Sequence, residues 1–403
     1  MSYRRLVRAA GLGFFPLGLL ARLPYAMSSL ATLILVQTVT GSYAFAGLAA
    51  AAQGLAGAVG APVVGSLADR YGHRRITVIS TVANIVALLC LIAASRSSYR
   101  TEMLAAAALV GLSQPPIGAL VRVYWSRLDQ NHALPSHLPA AMAYEAAADE
   151  TSFVVGPTLV GLLAPLATSL GPVAPIVASV ALLLLTALPF TIRYTDRHPA
   201  ARRSSQGDTT ALLPRRALLA MFFAMAAMGA VFGAVQTGVT AYAHSIGRPG
   251  AAGLIYAVFG AGSALAGAAC AWLPRGFAVR HRYLAFAATL LVGMLALFVG
   301  GRLHAVVPAV AVASITVAPY MITLYTLTER LAPPERTASA ITILCAGGPL
   351  GTACGQALAG FLAQGGGSGD AFLLAPIAAA VALMLAVALT AVDRGRGRWL
   401  APE

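Results

Sequence analysis

Three carboxylates and one guanidinium stand where charge is costly. Glu145, Asp149 and Glu150 lie in one long apolar segment of the chain, and Arg22 lies in another. An ionisable group inside a bilayer-spanning helix costs roughly 2.5–3.5 kcal/mol on insertion scales, so it calls for a function or a partner. Glu145 and Asp149 are four residues apart and share a helix face, whereas Glu150 points elsewhere. At 1.5 Å per residue, Asp149 stands about 15 Å along a helix that begins at Pro139, near mid-membrane. Arg22 enters its own segment to a similar depth. Two chemistries fit these residue types. A carboxylate in a low-dielectric cavity favours its protonated form and can load and release a proton. The same groups can also form a static buried ion network that locks two helices together.

The surrounding composition makes those segments membrane spans. Of 403 residues, 59% are hydrophobic and only 10% charged, against about 25% charged in an ordinary soluble domain. A hydrocarbon core of ~30 Å takes about 20 residues of helix to cross. Apolar runs between charged or Gly/Pro breaks predict twelve helices, an all-α integral membrane fold. The first six cover 16–39, 44–68, 75–95, 102–124, 139–166 and 172–193. The second six cover 216–243, 250–273, 282–301, 304–328, 337–363 and 371–392. The first apolar segment is too long for a cleavable signal peptide and lacks a clear cleavage site.

Charge placement orients the helices. The formal net charge is +14 and all 27 basic residues are Arg. They are scattered through short loops without a continuous patch, which argues against a nucleic-acid partner. Four of them (Arg96, Arg100, Arg248 and Arg302) fall in loops on one side and Arg22 lies in a span. That leaves 22 for the other side, among them Arg4, Arg5, Arg8, Arg70, Arg74, Arg75, Arg275, Arg280, Arg282, Arg394, Arg396 and Arg398. By the positive-inside rule, both termini and these loops are expected in the cytoplasm. The expected location is the inner (plasma) membrane. Cys90, Cys270, Cys345 and Cys354 show no CxxC spacing and no clustered His, so packed, inert thiols are expected, with no metal site and no cofactor.

The longest polar segment, 195–214, reads as a flexible cytoplasmic linker between an N-terminal six-helix unit, 1–194, and a C-terminal one, 215–403. The two units repeat weakly. Ala46-Gly47-Leu48 matches Ala252-Gly253-Leu254, and Gly156-Pro157 matches Gly348-Pro349. Six-plus-six repetition places a binding site at the interface of the halves.

The loop Gly65-Ser-Leu-Ala-Asp69-Arg70-Tyr-Gly72-His73-Arg74-Arg75 follows the second span. Gly72 permits a tight turn, and Asp69 can accept hydrogen bonds from Arg70, Arg74 or a helix N-terminus. The loop's residues and placement resemble the signature of the major facilitator superfamily, with His73 at a commonly basic position. The resemblance covers essentially the whole chain and implies two pseudo-symmetric six-helix bundles. It makes Gly65, Asp69, Arg70, Gly72, Arg74 and Arg75 a cytoplasmic gate. In the second half Arg275 stands where Asp69 stands in the first, so the full cluster is present once. In the family fold helices 1 and 5 are neighbours, which puts an Arg22–Glu145 or Arg22–Asp149 pair within reach and leaves one carboxylate over.

The run Ser152-Phe-Val-Val-Gly156-Pro157-Thr-Leu-Val160-Gly161 is similar to the family's antiporter motif, with Ser152 and Val160 at two of its Gly positions. Gly156 and Gly161 allow close helix approach and Pro157 removes a hydrogen bond, allowing a bend. The Arg that family drug exporters carry deep in helix 4 has no counterpart, because the nearest, Arg122, lies towards the cytoplasmic end. Among neutral polar residues in spans, Gln37, Gln236, Tyr242 and Gln356 are the cavity candidates. Glu329 and Arg336, flanking Pro333-Pro334, read as gate or cap residues.

The chain is thus expected to be a bacterial, monomeric drug/proton antiporter-like transporter, surrounded by membrane lipids. Its expected work is proton-coupled efflux of a small, fairly apolar organic compound by alternating access, with Asp149 or Glu150 carrying the proton. An uptake carrier for a metabolite such as a sugar and a lipid exporter are the alternatives. A membrane enzyme would need a nucleophile–base pair or a metal cluster, and the sequence offers neither.

Overall fold

A computed structural model describes residues 2–97, 99–130, 138–166, 170–195, 215–274, 277–332 and 337–394. The described residues fold into helices and the turns that join them. Eleven stretches are long and apolar enough to cross a membrane. In the N-terminal half these are α1 (Phe14–Thr40), α2 (Tyr43–Tyr71), α3 (His73–Ser97), α4 (Arg100–Trp125) and α6 (Gly171–Tyr194). Between α4 and α6 lies α5 (Leu138–Leu166), a 29-residue helix of spanning length that carries the three carboxylates. The C-terminal half comprises α7 (Ala217–Ser245), α8 (Ala251–Trp272), α9 (Val279–Arg302), α10 (Val306–Leu331), α11 (Ala340–Ala371) and α12 (Leu374–Ala391). All but one residue of the expected linker, 196–214, lies outside the described residues, as do Arg275 and Arg336.

Several spans are broken where the sequence removes backbone donors. α4 parts at Ser113–Pro116, because neither Pro115 nor Pro116 has an N–H to give. Side chains of α3 take up the freed acceptors: Asn84 Nδ2 donates to the Val110 carbonyl at 2.7 Å and Ser80 Oγ to that of Ser113 at 2.7 Å. α1 is jointed at Ala21-Arg22, just before Pro24. A π-turn over Leu183–Ala187 precedes Pro189 in α6.

Three features differ from the sequence reading. The eleventh helix, expected to end near residue 363, runs on as far as Gly367, whose φ of +74° breaks it. Gln364 explains part of this, since its Oε1 accepts the Tyr43 N–H at 2.9 Å and so caps the start of α2. Three cysteines expected to be packed, Cys90, Cys345 and Cys354, are exposed. Residues Ser2–Ala10, ahead of the first expected span, form a short helix that buries Leu6 and Ala10.

The halves meet along two seams of backbone contact. A Cβ on Gly253 of α8 would stand 2.2 Å from the Pro157 carbonyl oxygen of α5, so only glycine allows this approach. The counterpart is α2 against α11, where a Cβ on Gly47 would stand 2.3 Å from the Gln356 carbonyl oxygen. Both seams lie at the end of the bundle remote from the Gly65–Arg75 loop. At the loop end, Ala61, Pro62, Val63, Ser66, Leu67, Asp69, Arg70 and Tyr71 of α2 are exposed.

Candidate functional site

The charged residues of the spans converge in the N-terminal half. The joint in α1 presents Arg22, one face of α5 presents Glu145 and Asp149, and the segment of α4 beyond its proline break presents Arg122 and Trp125. Arg22 pairs with both carboxylates. Its Nη2 binds Glu145 Oε2, and its Nε lies 2.9 Å from Asp149 Oδ1. Asp149 is held from the other side by Arg122, whose Nη2 is 2.6 Å from Oδ2. The remaining oxygen of Glu145 accepts the Trp125 indole N–H. Glu145 is fully buried and Arg22 nearly so, while Asp149 and Arg122 are partly open.

Aromatic side chains wall the buried end of this network. Phe14 stacks on Tyr124 at 4.9 Å and meets Trp125 edge-on at 4.9 Å, with Phe190 and Tyr194 completing the nest. Such walls exclude water, which strengthens the ion pairs and makes the loss of either partner costly. The indole donor supplies the second hydrogen bond that a buried carboxylate requires.

Glu150 stands apart. It is exposed and makes no hydrogen bond or ion pair among the described residues. Tyr325 of α10, in the other half, lies within electrostatic reach of both Glu150 and Arg122. Across the described network, two guanidinium groups face three carboxylates.

A second, neutral cluster joins the halves further towards the remote end. Gln356 Nε2 of α11 donates to Ser29 Oγ of α1 at 2.5 Å and to Gln236 Oε1 of α7 at 2.7 Å. Ser29 Oγ donates to the same Gln236 oxygen at 3.3 Å. Beside it, Gln53 of α2 donates to Ser28 Oγ. Gln37 is buried near the end of α1 and Tyr242 is half-buried near the end of α7, both beyond this cluster.

The Gly65–Arg75 loop lies open at its acidic residue. Asp69 is 73% exposed and its nearest ionisable partner is His73 Nε2, at 3.4 Å. Arg70 lies over the Tyr71 ring, 5.1 Å from its centroid. Gly72 has φ +96°, a left-handed value that the turn between α2 and α3 demands. A Cβ on Gly65 would meet nothing within 4 Å. Arg74 is half-buried, Arg75 is exposed, and Glu329 is exposed on α10. In α5, Gly156 abuts Ala26 of α1, Pro157 abuts Gly253, and Gly161 abuts Gly250 and Gly253.

Sequence reasoning missed three members of these clusters. Arg122 was set aside because it lay too far along α4, yet it clasps Asp149 from its own helix. The signal for Trp125 was available, since a buried indole N–H needs an acceptor and the span carboxylates were already in view. Ser29 gave no signal beyond being one hydroxyl in an apolar run.

Known proteins agree with this architecture. No curated protein sequence matches the chain. Among solved structures, the nucleoside transporter NupG is similar at 15% identity and a TM-score of 0.70, over 94% of this chain and 98% of that one. The human organic anion transporter MFSD10 (TETRAN) is similar at 16% identity and a TM-score of 0.60, over 95% and 99%. PepTSo, a POT family transporter, is similar at 11% identity and a TM-score of 0.70, over 95% and 98%. At such identities the likeness establishes a shared fold. The family model of the Major Facilitator Superfamily matches residues 14–343. With that match over most of its length, on a multi-pass helical membrane fold, the chain belongs to the Major Facilitator Superfamily of transporters.

Proposed function

We propose that the protein exports a small, fairly apolar organic compound in exchange for protons, by alternating access between the two halves. The observation that carries this reading is Asp149 bridged by Arg22 and Arg122, with Glu150 one residue away and without an ion pair among the described residues. Protonating a carboxylate in such a network loosens its arginines, so proton loading is linked to the packing of α1, α4 and α5. The seams at the remote end and the exposed Asp69 support a conformation open at the loop end. The Arg distribution supports a cytoplasmic position for that end and for both termini, in an inner membrane. In this reading Asp69 with Arg70, Arg74 and Arg75 latches the loop end in the opposite state.

Flux into or out of sealed vesicles under an imposed pH gradient tests the coupling. Asp149→Asn and Glu150→Gln are expected to lose gradient-driven transport. Variants of both that are still driven normally would remove the carboxylates from the coupling mechanism.

The neutral cluster of Ser29, Gln236 and Gln356 favours a second reading, an uptake carrier for a hydroxyl-bearing metabolite such as a sugar. Equal flux with and without the proton gradient would support that reading over exchange.

A further inference from the structure

The charge around α5 does not balance. Arg22 and Arg122 are committed to Glu145 and Asp149, and Glu150 is left as an uncompensated carboxylate with an exposed side chain. Among the described residues no ion pair answers it, and a lone charge at this depth draws a counter-charge. The groups nearest to it suggest what form that counter-charge takes. One helical turn along α5, Phe153 meets Tyr25 of α1 edge-on, with ring centroids 5.9 Å apart. Both rings are about half exposed. Tyr325 of the C-terminal half, its hydroxyl 3.6 Å from Cys345 Sγ, lies within electrostatic reach of Glu150. Phe153 itself sits at the seam, since its carbonyl oxygen and the neighbouring Val154 side chain are the nearest atoms to Gly260 of α8. Aromatic faces attract cations, and they do so most strongly where water is scarce.

We propose that Glu150, Tyr25, Phe153 and Tyr325 form a binding site for a monovalent organic cation with an apolar body, such as an amphipathic amine or an onium ion. The carboxylate neutralises the charge and the rings cover the body. An organic anion meets the opposite situation, because the cations described nearby, Arg22 and Arg122, are already held by Asp149, at 2.9 and 2.6 Å. A neutral compound leaves the Glu150 charge unanswered. The site rests on the transporter reading above and names the class of its cargo.

Equilibrium binding to the purified full-length protein tests the assignment with two probes of one shape and opposite charge, tetraphenylphosphonium and tetraphenylborate. The wild type is expected to bind the phosphonium in preference to the borate. Glu150→Gln should weaken phosphonium binding by about tenfold or more, the loss of one charge-assisted contact. Glu150→Asp should retain most of it, and Phe153→Leu should weaken it by roughly three- to tenfold. Thermal unfolding of each variant checks its fold, and if the Gln variant is unfolded the Asp and Leu variants decide. Borate binding as tight as phosphonium binding would overturn the proposal, as would no phosphonium binding at all or full binding in a folded Gln variant. Vesicle flux separates this from the broader reading. Glu150-dependent phosphonium binding without gradient-driven flux sinks proton-coupled export and leaves the site standing. Gradient-driven flux of an uncharged compound without phosphonium binding does the reverse.

Discussion

The two halves share a helical plan, yet charge is buried in only one of them. In the N-terminal half, α1, α4 and α5 meet through Arg22, Glu145, Asp149 and Arg122. The C-terminal half buries instead a stacked tyrosine pair, Tyr283 and Tyr320, with centroids 6.0 Å apart, and, further towards the remote end, the neutral amide of Gln236. The glycine seams, by contrast, are distributed evenly: α5 against α8 on one side, α2 against α11 on the other. The surfaces along which the halves pack are thus repeated, while among the described residues the buried ion network lies in one half and the more open Arg302–Asp370 pair in the other. In the proposed exchange, the half with the buried network would hold the proton and the other half would serve as its partner surface.

The largest test of that contrast removes a charge. Arg22→Leu strands the fully buried Glu145 and should destabilise the protein by about 3–5 kcal/mol, the usual cost of breaking a buried pair. Unfolding in detergent measures it. A loss no larger than that of a surface substitution would mean that the network is not the keystone of the N-terminal half.

The seams come next. Gly253→Ala places a Cβ 2.2 Å from a backbone oxygen of α5, and such overpacking costs typically about 1–3 kcal/mol. Gly65→Ala is the matched control, because its Cβ meets nothing and alanine is preferred within a helix by about 1 kcal/mol. The first should lower the melting temperature and the second should hold or raise it. If Gly65→Ala also slows flux, close approach at the loop end belongs to the opposite state.

The smallest effect is expected in the neutral cluster. Gln356→Leu removes two hydrogen bonds, one to Ser29 across the halves and one to Gln236 within the C-terminal half, each worth about 1 kcal/mol, with part regained by burying an apolar side chain. A thermal shift as large as that of Arg22→Leu would overturn the ranking of charged over neutral contacts.

Much of this was legible in the sequence, for identifiable reasons. Span number and order followed from unbroken apolar runs, because backbone polar groups in lipid must be satisfied within helices. The shared face of Glu145 and Asp149 followed from helical periodicity. The role of Arg122 was not legible. Its distance along α4 was read as if the helix were a straight rod in isolation, whereas what counts is that Asp149 lies beside it on α5. The continuation of α11 past Gln364 was hidden for a related reason, since the group that rewards it, the Tyr43 N–H, is 321 residues away. Local pattern carries the elements, and pairings across hundreds of residues carry the site.

The odd carboxylate count has an electrical consequence. Loaded with one proton or with one monovalent cation, the group of two arginines and three carboxylates is neutral. A transmembrane voltage, worth about 2.3 kcal/mol per charge per 100 mV, then finds no net charge to push as the loaded halves rock. Exchange at this site would be indifferent to voltage and driven by the acidity difference alone.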